Sequence, residues 1–146
     1  MTATPSDYEN TSLCLWKEAR GEGIAGMTAV GCVIRNRVVK HGLSYHDVVY
    51  AREQFTSMSV PSDPEYNLEP SGPVWPEAES IASGVIDGTT ADVTGGATLY
   101  WNPAGIESTH TFKLPSGQVV KFPATWNPAV VRFSTQIGHH IFLVEV

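Results

Sequence analysis

Positive charge is scarce in this sequence. It has 9 Lys and Arg against 15 Asp and Glu, a formal net charge of -6, and no basic run able to neutralise a row of phosphates. No nucleic-acid partner is therefore expected, because such binding draws most of its strength from phosphate neutralisation. Long apolar runs are also missing. Near the C-terminus, Ile141 to Val144 falls far short of the ~20 residues a membrane helix needs, so no membrane partner is expected. Met1 to Leu13 show neither a basic start nor an apolar run and do not read as a secretory signal. Cysteine is limited to Cys14 and Cys32, too few for a disulfide scaffold and without metal-ligand spacing. They flank Gly23 at similar distances, so a helical hairpin turning there would bring them level; without a secretory signal, two buried thiols are the expectation.

What is present suits a folded chain. Hydrophobic residues make up 42% and charged residues only 16%, enough apolar surface to offset the entropy cost of folding and too little charge for disorder. With 146 residues and no repeat, low-complexity segment or linker, residues 1–146 read as one domain.

Helical periodicity comes first along the chain. Ser6 with Glu9 forms a capping-box pattern, and Tyr8, Ser12, Leu15, Trp16 and Ala19 share one face of a first helix that should end at Gly21 or Gly23. Glu18 then lies in its last turn. A second helix is predicted from about Gly26 to Val38, and Ser44 with Asp47 caps a short third one through Val49. Pro61, Pro64, Pro70 and Pro73 mark an irregular stretch of the kind that often binds ligands. Pro76 to Ile86, closed by Gly88, is a further amphipathic helix. From Asp92 onward Gly, Thr, aromatic and β-branched residues dominate. His110–Leu114 and Gln118–Phe122 flank Pro115-Ser116-Gly117 as a hairpin, and Ile137–Val144 reads as one more strand. Helices first and strands later predict an α+β fold.

Glu18 is the first candidate for chemistry. A glutamate that closes a helix beside Trp16, ahead of a glycine-containing turn, can face a cleft with apolar neighbours, and partial burial raises its pKa toward that of a general acid. As a bare residue type, a helical glutamate is ordinarily a solvated charge, and Arg20 and Glu22 have equally plain readings as surface or ion-paired groups.

The wider pattern adds to this. Glu18-Ala19-Arg20-Gly21-Glu22, Gly26-Met27-Thr28-Ala29-Val30 and Val33-Ile34-Arg35-Asn36-Arg37-Val38 are followed by Gln54-Phe55-Thr56 and the helix Ala78 to Gly88. Asp92-Val93-Thr94-Gly95-Gly96-Ala97-Thr98-Leu99-Tyr100-Trp101-Asn102-Pro103 and Ile137-Gly138-His139-His140-Ile141-Phe142 come after them. In these segments and their order, from about Tyr8 to Phe142, the chain resembles the catalytic domain of the cell wall hydrolases that include the spore-cortex-lytic enzymes. The resemblance implies a lysozyme-like fold with a helical N-terminal part and a small antiparallel sheet in the C-terminal half. It also implies Glu18 as the catalytic acid and peptidoglycan glycan strands as the partner; no cofactor is expected, and no metal, because no cluster of His, Cys and carboxylate has ligand spacing. The implied activity is cleavage of the bond between N-acetylmuramic acid and N-acetylglucosamine. Family members are commonly lytic transglycosylases, in which the muramic C6 hydroxyl attacks and leaves a 1,6-anhydro end. The segment 104–126 is longer than the resemblance leads one to expect, and no separate wall-binding domain is seen. With no signal sequence, the expectation is a monomeric phage endolysin held in the host cytoplasm before release, or a virion-associated lysin.

Supporting positions follow from the same segments: Glu22, Arg20, Gln54, Phe55, Asp92, Thr94, Tyr100, Asn102 and His140. Tyr100 and Asn102 could line a sugar groove, or serve as a buried tyrosine and a turn-forming Asn-Pro. Phe55 could floor the cleft or simply be core. His139 and His140, as neighbours in a strand, should point to opposite faces and not share a metal. Three alternatives stay open. The first is a hydrolytic muramidase using Glu22 or Asp92 as second carboxylate. The second is an amidase or peptidase with zinc or a Cys14–His140 pair, and the third a non-catalytic glycan-binding virion module.

Overall fold

The computed structural model describes residues 3–51 and 54–146. Helix α1 (Pro5–Ala19) is followed by a 3-10 turn (Arg20–Glu22), α2 (Gly23–His41), α3 (Tyr45–Val49), α4 (Thr56–Ser59) and α5 (Val74–Asp87). The strands come after: β1 (Leu99–Trp101), β2 (Thr111–Lys113), β3 (Val119–Lys121), β4 (Val131–Ile137) and β5 (His140–Glu145). Two antiparallel sheets result, one ordered β1-β5-β4 and one formed by the β2-β3 hairpin. The expected α+β class is what is found.

Several boundaries differ from the sequence reading, each for a local reason. The capping box at the start of α1 is Thr4 with Asp7, not Ser6 with Glu9: Thr4 N–H donates to Asp7 Oδ2 at 2.9 Å and Asp7 N–H to Thr4 Oγ1 at 3.4 Å. Pro5 explains the earlier start, since its fixed φ and missing N–H suit the first helical position. Helix α1 ends at Ala19, and the chain tightens through the 3-10 turn to Gly23, whose φ of 74° breaks it from α2. Helix α2 is longer than expected at both ends and closes at Gly42, φ 65°, whose N–H reaches the Val38 carbonyl. The single strand expected over Ile137–Val144 is the second half of a β4-β5 hairpin. Gly138, at φ 58°, turns the chain between them. Strand β4 has an irregular register between Phe133 and Thr135 and alternates only partly buried with exposed positions, a weak sequence signal.

Packing separates into a helical core and a sheet core joined at β5. Leu15, Met27, Val30, Ile34, Val48, Phe55 and Ala82 belong to the first; Trp101, Leu114, Phe122, Ile141 and Leu143 to the second. Alternation along β5 explains the join: Ile141 and Leu143 turn to the hairpin side, whereas Phe142 packs with Ala29 and Val33 of α2. The segment 104–126 thus packs its apolar residues onto the sheet through Trp101, Ile141 and Leu143. Trp101 meets Phe112, Phe122 and Trp126 edge to face, and its indole N–H donates to the Lys121 carbonyl at 2.8 Å. Cys14 and Cys32 are both buried and free.

Candidate active site

Glu18 occupies the last turn of α1, and Ser57 of α4 donates a hydrogen bond from its hydroxyl to Glu18 Oε2. Burial pushes the Glu18 pKa above the usual carboxylate range. The Ser57 hydroxyl works against that shift, while the nearby charges of Asp63 and Glu65 add to it. Tyr100 stands close enough for its hydroxyl pKa, already driven well up by burial, to be raised further by Glu18. Burial thus favours the protonated carboxyl, while the Ser57 hydrogen bond favours the ionised one.

The loop after α4 is fastened to the same end of α1. Lys17 Nζ donates to the carbonyls of Tyr66 at 2.7 Å and Ser57 at 3.3 Å. Arg20 lies 4.1 Å over the Trp16 ring, donates to the Trp16 carbonyl at 3.0 Å and pairs with Glu65. Inside the loop, Thr56 Oγ1 donates to Asp63 Oδ2 at 2.6 Å, which holds the Asp63 carboxyl below its usual range. The proline-rich stretch therefore forms a wall beside Glu18. Nothing in the sequence singled out Ser57, Lys17, Asp63, Glu65 or Tyr66; the density of prolines marked the stretch but not its anchors.

Histidines 139 and 140 do not diverge as adjacent strand residues would, because His139 lies in the turn and only His140 in β5. Both approach Glu22: His139 Nδ1 is 3.2 Å from Oε2, and His140 Nε2 is 3.6 Å from Oε1. The His140 ring meets Tyr100 edge-on with centroids 4.9 Å apart. Tyr100 lies directly across from Phe142 in the β1-β5 pair and stacks on it at 5.8 Å. Phe55 is buried under the same group, 6.4 Å from Tyr100 and 5.4 Å from the Arg37 guanidinium. Glu18, Tyr100, Phe55, His140 and Glu22 thus form one neighbourhood.

The remaining candidates lie elsewhere or are occupied with local structure. Asp92 accepts from Thr94 N–H and Gly96 N–H, both at 2.8 Å, from Thr94 Oγ1 at 2.7 Å and from Asn36 Nδ2 at 3.0 Å. Although burial opposes it, these bonds lower the Asp92 pKa, and they close a loop against α2. Thr94 is fully buried within that network. Asn102 caps the turn Pro103–Gly105 by accepting from Ala104 N–H at 3.0 Å. Gln54 is exposed and lines a cavity of about 220 Å³ with Arg37, His41 and Glu145. Wider depressions, about 640 Å³ beside Asn36 and Asp92 and about 670 Å³ beside Phe112 and Phe133, do not include Glu18. Carboxyl chemistry rather than cavity size therefore picks out the site. Among the described residues, no group of three or more His, Cys, Asp and Glu is arranged to hold a metal.

Two solved structures share this arrangement of elements. One is the catalytic domain of the germination-specific lytic transglycosylase SleB from Bacillus anthracis, 25% identical, with a TM-score of 0.67 over 96% of this chain and 95% of that one. The other is the catalytic domain of the Bacillus cereus SleB protein, also 25% identical with a TM-score of 0.67, over 97% and 91%. No curated protein matches. A family model described as Cell Wall Hydrolase matches residues 21–143. That match takes in Glu22 and His140 but begins after Glu18, so the case for Glu18 stands on its own geometry. Spanning most of the sequence, the match shows that the chain belongs to the Cell Wall Hydrolase family.

Proposed function

We propose that this cell wall hydrolase cuts peptidoglycan between N-acetylmuramic acid and N-acetylglucosamine as a lytic transglycosylase, with Glu18 as acid and then base. The observation that carries the reading is a single glutamate whose pKa burial raises and whose carboxyl Ser57 orients. Protonated Glu18 gives its proton to the glycosidic oxygen as the bond to muramic C1 breaks. The resulting carboxylate, stabilised by the Ser57 hydroxyl, then takes the proton of the muramic C6 hydroxyl as O6 closes on C1. Glu18 ends protonated and no water is consumed. One carboxyl suffices because an internal hydroxyl is already held near the reacting carbon, where proximity replaces an activated water. Likeness to a structure described as a lytic transglycosylase supports the same reading.

Product analysis tests it. Digests of purified peptidoglycan should be dominated by muropeptides with 1,6-anhydro ends, one water lighter than reducing ends and resistant to borohydride. Reducible muramic ends would favour the second reading, a hydrolytic muramidase. Glu22, partly buried and held by two histidines, is the specific observation in its favour. Such an enzyme needs two carboxyls roughly 5 to 9.5 Å apart.

A chelator should leave activity unchanged, since acid-base catalysis by Glu18 calls for no metal. Activity lost to EDTA and restored by zinc would turn the assignment toward an amidase acting on the peptide stem.

A further inference from the structure

The turn between β4 and β5 brings two histidines to one carboxylate, and the other side of that carboxylate is shaped to receive it. A Cβ built on Gly26 would lie 2.3 Å from Glu22 Cβ, so α2 admits the Glu22 stem only because position 26 has no side chain. Gly138 makes the turn at a φ of 58°, which residues with a Cβ rarely adopt. The Glu22 side chain is left 19% exposed, and His139 and His140 both turn a ring nitrogen toward its carboxylate.

The two histidines differ. His139 is 77% exposed at its side chain and hydrogen-bonds Glu22 from the solvent side. His140 is 8% exposed, its Nε2 faces Glu22 and its Nδ1 is buried without a partner. Burial lowers the His140 pKa, with Glu22 pulling the other way. A neutral ring protonated on Nε2 fits these surroundings. It turns an N–H to the carboxylate and leaves only an acceptor among the rings of Tyr100 and Phe142, where a buried N–H without a partner would cost more.

Resting on the glycosidase reading above, we infer that His140 is a positioning residue for that reaction. It fixes the Glu22 carboxylate and the Tyr100 ring in one arrangement beside Glu18, with His139 as a weaker outer arm. Its influence on turnover passes through Glu22.

A double-mutant cycle on the full chain tests this, with kcat and KM measured on soluble glycan strands released from purified sacculi. His140→Ala and Glu22→Gln should each lower kcat by roughly 10- to 100-fold, the scale set by a misplaced group, with KM little changed. The double variant should be no slower than the worse single one, because residues acting as a unit are non-additive. His140→Gln, which retains an amide N–H near the Nε2 position, should recover most of the rate, and His139→Ala should cost little. Additive losses, or a His140→Ala effect confined to KM, would overturn the inference. A second measurement guards against misfolding and inactivity: in an NMR titration of the histidine rings, Glu22→Gln should move the His140 midpoint downward. An unmoved midpoint overturns the pairing at any level of activity. An inactive wild type with the midpoint coupled to Glu22 would instead overturn the lytic reading and support the pairing.

Discussion

Glu18→Gln should reduce cleavage of purified peptidoglycan by about 100- to 10,000-fold, the usual contribution of a positioned general acid, while the fold is kept. The amide has nearly the same shape and can still accept from Ser57, but it has no proton to give at a useful pKa. The same substitution should raise the thermal midpoint at neutral pH. Because the folded-state pKa of Glu18 is raised, chiefly by burial, folding holds its proton more tightly than the unfolded chain does. The resulting stabilisation is full below the unfolded pKa and is lost as pH rises through the folded one. At neutral pH the buried carboxylate is therefore a cost that the amide avoids. Activity should follow the same group: kcat/KM of the wild type falls as pH rises through the raised Glu18 value, because the acid must start protonated. Two results would remove Glu18 from the centre of the mechanism: residual activity within about tenfold of wild type in a folded Glu18→Gln protein, or a lowered midpoint.

The place of Glu18 at the end of α1 was legible in the sequence because its signals are local. Apolar spacing defines the face of α1, and glycines mark where the helix must stop, so its place in the last turn follows from neighbours a few residues away. The same holds for α3 and α5, whose caps at Ser44 and Gly88 lie where the sequence puts them. The start of α1 was misread because Thr4-Pro5-Ser6 offers two overlapping caps, and only the restricted geometry of proline decides between them. Partners brought by tertiary folding were out of reach. Ser57 meets Glu18 across 39 positions of sequence, and Lys17 meets Tyr66 across 49. Helix α4, which carries Ser57, spans four residues, too few to show a period. His139 and His140 were misjudged for the opposite reason: a local rule about strands was applied to a pair of which only His140 lies in the strand, His139 sitting in the turn at Gly138. The resemblance named Asp92, Thr94 and Asn102 alongside Tyr100. The hydrogen bonds of the first three are spent on holding loops closed.

Phe142→Ala should cost about 3–5 kcal/mol, as for other buried phenylalanines, against a total of about 5–15 kcal/mol for a typical domain. Phe142 is fully buried where the sheet packs on α2, in a cluster with Ala29, Val33 and Ala97. Those neighbours are small or β-branched and cannot swing in to fill the space, so the cavity term should be near its full size. Its ring also stacks on Tyr100 and meets His140 edge-on at 6.3 Å, so the floor of the proposed site shares its support with the join between the two cores. Phe142→Leu separates the two roles. It fills most of the volume and should cost less stability, yet it removes the flat surface on which Tyr100 rests, so turnover should fall further than the unfolded fraction accounts for. Urea midpoints and kcat on the same samples decide the matter. If Phe142→Leu lost activity only in proportion to folded protein, the Tyr100 and His140 rings would be shown to keep their places without the stacking partner.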